Sequence, residues 1–225
     1  MMSPEAESIR TMLAQTDLPL GLAWAMSDPI DDPSLLFPDE AKAIAKAVPN
    51  RRAEFTGGRA AARKAMWSLG IHPAAIPMAD NRAPIWPEGI TGSITHADEI
   101  CMAIVSEAGR YAGLGLDLEP DVAMDPDLVA EVCSEDDLAG VPVEDQAFLP
   151  KRVFSAKEAV YKAHFAKAGI SFGFKALAVD LKTGRASFTA DSEAQSVPLI
   201  HRGDLSFQQW ICDGMILSLC AIPRQ

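Results

Sequence analysis

Val153-Phe-Ser-Ala-Lys-Glu-Ala-Val-Tyr-Lys162, read with the earlier Gly113-Leu-Gly-Leu-Asp-Leu-Glu119, decides how the chain folds. The spacing of Val153, Val160 and Phe165 predicts a helix over 153–167, closed by Gly169. The earlier stretch continues a strand from Tyr111 to Leu118, and Ile100–Ser106 reads as its hairpin partner across Glu107-Ala-Gly-Arg110. Upstream, a helix is expected over 51–69, Ala-rich in its second half and ended by Gly70. Downstream, strands 176–181 and 186–190 flank Thr183-Gly184, and strands 205–212 and 215–221 flank Asp213-Gly214, a strong hairpin signal. A long helix followed by hairpins thus occurs once in each half, which points to an α+β fold of two similar halves, residues 1–115 and 116–225.

The remaining segments are less regular. Residues 1–38 are broken by Asp28-Pro, Asp32-Pro and Phe37-Pro, with Leu20–Met26 as one strand. Asp39–Val48 reads as a short helix, with Asp39 and Glu40 at its positive end and Pro49 closing it. Pro73–Gly92 is proline-rich without periodicity and is expected to be a long loop of the kind that carries function. Residues 122–149 are acidic and predict one or two short helices.

A chain of 225 residues with 48% hydrophobic content can bury a substantial core. A net charge of −11 argues against nucleic-acid or anionic-membrane binding, which needs massed Lys and Arg. Half of the 20 basic residues nevertheless fall in 51–64 and 151–167, so a local anion site fits within an acidic protein. Cys101, Cys133, Cys212 and Cys220 lack metal-ligand spacing and are expected to be reduced thiols. The N-terminus has no basic, apolar leader pattern and no 18-residue apolar run follows, so a cytoplasmic protein without stable membrane insertion is expected.

Asp117 and Glu119 leave the same face of a strand about 7 Å apart. Mg²⁺ prefers one or two protein carboxylates plus water and phosphate oxygens, and this pair suits that demand. An alternative is a solvent-facing strand end before Pro120. Ser155-Ala-Lys-Glu158 likewise matches a helix capping box, and Glu158 and Lys162 match an ordinary i, i+4 surface pair. In Thr91-Gly-Ser-Ile-Thr-His96, placed just before a strand, His96 with Ser93 and Thr95 forms a donor cluster suited to a phosphate. Arg51, Arg59 and Arg63 share a broad helix face on which guanidinium forks can grip a phosphomonoester, or simply face water. P-loop, dinucleotide-binding and serine-hydrolase motifs are absent from the sequence.

Taken in order, Arg51-Arg-Ala-Glu-Phe-Thr-Gly-Gly-Arg59, Trp86-Pro-Glu-Gly-Ile-Thr-Gly-Ser-Ile-Thr-His96, Gly115-Leu-Asp-Leu-Glu119 and Phe154-Ser-Ala-Lys-Glu-Ala-Val-Tyr-Lys162 resemble the motifs of Sfp-type 4′-phosphopantetheinyl transferases, and within them the enterobactin-synthetase component D-like enzymes. The resemblance implies the α+β fold of that family, two similar halves related by a pseudo-twofold in a monomer, with coenzyme A between them. It implies Mg²⁺, or Mn²⁺, on Asp117, Glu119 and Glu158. Glu158, Lys162 and His96 are the expected catalytic residues. Arg51, Arg59, Thr95, His96, Asp117, Lys157, Glu158 and Lys162 are expected at coenzyme A, with Arg82 on the adenine side where Met78 and Asn81 replace the family's lysines. Expected partners are apo acyl, peptidyl or aryl carrier proteins. A Mg²⁺-dependent phosphohydrolase of coenzyme A or nucleotides, and an inactive coenzyme A-binding or carrier-binding relative, are the rival readings.

Overall fold

Alanines on one face of a long helix let it lie close on a small sheet, and this contact organises the first of two compact units, residues 1–112 with 223–225; the second is 113–222. The computed structural model describes residues 3–138, 147–203 and 205–224. In the first unit come helix α1 (Pro4–Ala14), strand β1 (Ala23–Ser27), helices α2 (Pro38–Ile44) and α3 (Pro49–Ser68), and strands β2 (Ile90–Ala97) and β3 (Ile100–Glu107). The sheet is antiparallel in the order β1-β3-β2. Ala61, Ala62, Ala65 and Met66 of α3 pack with Ala23, Ala103, Val105 and Ile76.

Two expectations fail in this region. Thr91–His96 does not precede a strand; it is the body of β2, paired residue for residue with β3 from Ile90↔Glu107 to Ala97↔Ile100. Its Thr, Ser and Gly residues hid the strand from an apolar-alternation reading, although Thr91, Ser93 and Thr95 are buried. The loop from Pro73 therefore ends at Ile90. Glu40, expected only to face the helix dipole, is fully buried. Its carboxylate accepts from the Ile76 amide at 2.7 Å and the Phe37 amide at 2.9 Å, and from Arg63 Nη1.

The second unit holds most of β4 (Tyr111–Pro120), then α4 (Pro126–Val132), α5 (Glu135–Leu138), α6 (Leu149–Ala168), β5 (Leu177–Asp180), β6 (Arg185–Phe188), α7 (Ser192–Gln195), β7 (Leu205–Cys212) and β8 (Met215–Pro223). Its sheet runs β4-β8-β7-β6-β5. The β7–β8 hairpin forms as expected, because Asp213 and Gly214 both take positive φ, 49° and 74°, matching the strands' twist. Helices and antiparallel sheets give the α+β class. Part of the expected 122–149 helical region, residues 139–146, lies outside the described residues. Among the described residues no helix is long and apolar enough to cross a membrane.

The expected hairpin between β3 and β4 does not form, since the two strands belong to different sheets. The reason lies at Gly113 and Gly115, where any Cβ would collide with the backbone carbonyls of Ala163 and Ala159 on α6. Two glycines on one face of a strand mark close approach of a helix. Gly115→Ala is accordingly expected to cost about 1–3 kcal/mol or more, since backbone rather than a flexible side chain must yield. A lowered denaturant midpoint at unchanged slope would be the sign.

Candidate active site

Strand β4 and helix α6 bring acidic and basic side chains together. Leu116 and Leu118 are buried on one side of β4, and Asp117 and Glu119 alternate with them. Lys162 on α6 donates to Asp117 Oδ1 at 2.7 Å and to the Leu116 carbonyl at 3.0 Å. Asp117 Oδ2 is buried without a hydrogen-bond partner. Lys151 Nζ lies 2.5 Å from Glu119 Oε2. Burial pushes the Glu158 carboxyl up from the usual carboxylate range; Lys162 pulls it back, and Asp117 and Glu119 push it further up. Glu119 is raised by burial, lowered by its bond from Lys151 and raised again by Asp117. The Asp117 charge thus acts on both glutamates, and that of Glu119 on Glu158.

This donor set suits a hard divalent cation, which takes oxygen ligands and would relieve both the orphaned Oδ2 and the mutual repulsion. Among the described residues, however, no three such side chains are arranged as a coordination shell. Lysines stand against Asp117 and Glu119 instead. The structure assembles the acids in one locality, and the ligand geometry is not preformed.

Helix α6 begins at Leu149, earlier than the expected 153, with consequences for two residues. Ser155 is inside the helix rather than at its cap, and its hydroxyl meets Ser218 Oγ at 2.9 Å. The capping-box alternative is thereby removed. Lys157, expected at coenzyme A, is 1% exposed and turned inward. It donates to Asp137 Oδ2 at 2.7 Å and to the carbonyls of Val132 and Phe174 at 2.9 and 3.1 Å. An ammonium has three donors, and all are used within the protein. Beside Glu158, a cavity of about 90 Å³ is walled by Tyr161, Phe172, Phe174 and Leu177.

The first unit carries a separate basic group. Arg51 Nη1 lies 3.1 Å from His96 Nε2 and 3.4 Å from Glu54 Oε2. A guanidinium can only donate, so Nε2 of His96 presents its lone pair here. Thr95 is buried next to it. Arg59 is also buried, stacked 3.7 Å from the Phe55 ring centroid, with Nε donating to the Ile76 carbonyl at 3.2 Å. Burial pushes its guanidinium down to about 10; Glu40 raises it and Arg51 and Arg63 lower it. Arg63 is turned to Glu40 and Leu35: Nη1 donates to both Glu40 oxygens at 3.0 Å and Nη2 to the Leu35 carbonyl at 2.8 Å. Arg82 is exposed at a turn tip, with φ 69° and its amide bonded to the Ala79 carbonyl.

Lys151, Glu54, Asp137 and Glu40 were not singled out from the sequence as members of these clusters. Lys151 and Arg152 did leave a signal. Two cations in a helix's first turn oppose the macrodipole and so call for carboxylate partners.

Residues 39–106 match the 4′-phosphopantetheinyl transferase N-terminal domain, and residues 113–213 match the 4′-phosphopantetheinyl transferase superfamily. The chain is 39% identical over 173 residues to 4′-phosphopantetheinyl transferase Svp of Streptomyces mobaraensis, covering 74% of this chain and 70% of Svp. It is 31% identical over 220 residues to 4′-phosphopantetheinyl transferase Npt of Nocardia iowensis, covering 93% of this chain and 99% of Npt. To enterobactin synthase component D of Salmonella typhimurium it is 32% identical over 121 residues, 50% of this chain and 48% of the relative.

Proposed function

The chain belongs to the 4′-phosphopantetheinyl transferase superfamily, and from that premise we propose that it moves the 4′-phosphopantetheine group of coenzyme A onto a serine hydroxyl of an apo acyl, peptidyl or aryl carrier protein. The serine oxygen forms a bond to the phosphorus bearing pantetheine, the diphosphate bridge breaks, and adenosine 3′,5′-bisphosphate leaves. The serine proton passes to Glu158, directly or through a water. Burial and two like charges raise this carboxylate's proton affinity, as a general base working near neutral pH requires. In this reading Lys162, which donates to Asp117, neutralises the leaving phosphate.

A Mg²⁺ or Mn²⁺ ion held by Asp117, Glu119 and Glu158 would neutralise diphosphate oxygens when bound. The observation that carries this reading is the unpartnered, buried Oδ2 of Asp117, whose charge acts on both Glu119 and Glu158. Arg51, Thr95 and His96 complete the proposal as the group that takes a coenzyme A phosphate, with Arg59 behind them and Arg82 toward adenine. Lys157 is left out because its donors are spent.

The test is intact-mass analysis of several apo carriers incubated with the chain, coenzyme A and Mg²⁺. At least one carrier should gain one phosphopantetheine group at its serine, and a serine-to-alanine carrier should gain none. Free phosphopantetheine with unmodified carriers would indicate the hydrolase instead. No change in carrier or coenzyme A would reject both enzymes.

A further inference from the structure

We propose that Lys151 is a resident counter-cation, which holds Glu119 while no divalent ion is bound and makes metal binding conditional on arrival of the diphosphate. This rests on the metal-centred reading of Asp117, Glu119 and Glu158. Helix α6 has no acid in its first turn, and its two cations there are each held by a carboxylate at the end of β4 or just beyond.

The two pairs differ in kind. Arg152 forms a two-bond fork with Asp121, at 3.0 and 2.8 Å, which is a rigid clasp. Lys151 meets Glu119 through one ammonium on a flexible stem, with Nζ 5.1 Å from the Phe154 ring centroid. The side chains of Lys151 and Glu119 are 20% and 22% exposed, so the contact is open to exchange.

Around the cluster, three carboxylates face two ammonium groups. A divalent ion entering alone meets both lysines. Lys162 is anchored twice, by Asp117 and by the Leu116 carbonyl. Lys151 has Glu119 as its only ion-pair partner among the described residues, so it is the one displaced. The buried, unpartnered Asp117 Oδ2 offers an acceptor in the same cluster. A diphosphate brings new acceptors for the released ammonium, so metal and diphosphate favour each other's binding, and that coupling is reciprocal.

The test uses the full chain with Mn²⁺ alone, without coenzyme A or carrier, reading free Mn²⁺ by electron paramagnetic resonance. Lys151→Met keeps the stem and removes the charge, and should bind Mn²⁺ roughly tenfold tighter than wild type, within the usual span of coupling between sites. Lys151→Arg should match wild type. In wild type, coenzyme A should tighten Mn²⁺ binding, and in Lys151→Met that gain should shrink. If Lys151→Met melts early, Lys151→Gln serves in its place. Equal or weaker Mn²⁺ binding by the neutral variants, or equal tightening by Lys151→Arg, overturns the proposal. Failure of the transferase reading shows elsewhere, as carriers left unmodified by wild type.

Discussion

Glu158→Gln is expected to reduce carrier modification by about 10²–10⁴-fold, the range for loss of a positioned general base, while leaving the chain at least as stable as wild type. The substitution keeps the shape of the side chain and removes its charge. In the folded chain that charge is unfavourable: burial raises the Glu158 carboxyl, Lys162 offsets only part of the rise, and Asp117 and Glu119 add to it. The sign follows from linkage. A carboxylate whose pKa is higher folded than unfolded weakens the fold once pH exceeds both values, and stability returns as pH falls through the raised one. Neutralising the group should therefore hold or raise the melting temperature at neutral pH. Activity and stability are pulled apart, as happens where a site is kept strained for its chemistry. Near-normal turnover by Glu158→Gln would remove Glu158 from the mechanism. A falling melting temperature would show instead that its charge has a favourable partner in the fold.

How much of the fold and site is legible in the sequence depends on which physical effect each residue obeys. Helix α6 follows from apolar spacing, α3 from its Ala-rich run closed by Gly70, and the β7–β8 hairpin from a dipeptide that tolerates positive φ. Strand spacing pairs Asp117 with Glu119 and helix spacing pairs Glu158 with Lys162, each of which reads equally as a surface feature, and only the resemblance carried by the ordered motifs implied one set. What escaped were long-range polar contacts. No local pattern reveals that Arg63 is consumed by Glu40, 23 residues earlier in the chain, or that Lys151 sits on Glu119. Strand β2 escaped because its buried face is hydroxyl-bearing, and the false β3–β4 hairpin arose because Glu107-Ala-Gly-Arg110 reads as a turn between strands while nothing local shows that Gly113 and Gly115 are packed against α6.

Lys157→Met is expected to destabilise the chain by about 3–5 kcal/mol, because it leaves the Asp137 carboxylate buried without its counter-charge. For a chain of this size that corresponds to a melting temperature lower by about 10 °C. Asp137 Oδ2 also accepts from the Ser134 amide and hydroxyl, each at 2.7 Å, and Oδ1 from the Val179 amide at 2.7 Å. With Lys157 reaching the Val132 and Phe174 carbonyls, the pair ties the ends of α4 and α5, helix α6 and strand β5 into one hub. The motif that contains Lys157 suggests a ligand contact, and the hub makes it a structural residue, so the two roles predict different failures. A structural lysine costs melting temperature and leaves turnover per folded molecule intact at low temperature. A ligand-binding lysine raises the apparent KM for coenzyme A at little cost in stability. Asp137→Asn separates charge from shape, since the amide oxygen can still accept from Val179. Combined with Lys157→Met it removes both charges, and the double variant should lose less than the sum of the two single losses. Additive losses would mean that the ion pair contributes nothing beyond its separate hydrogen bonds.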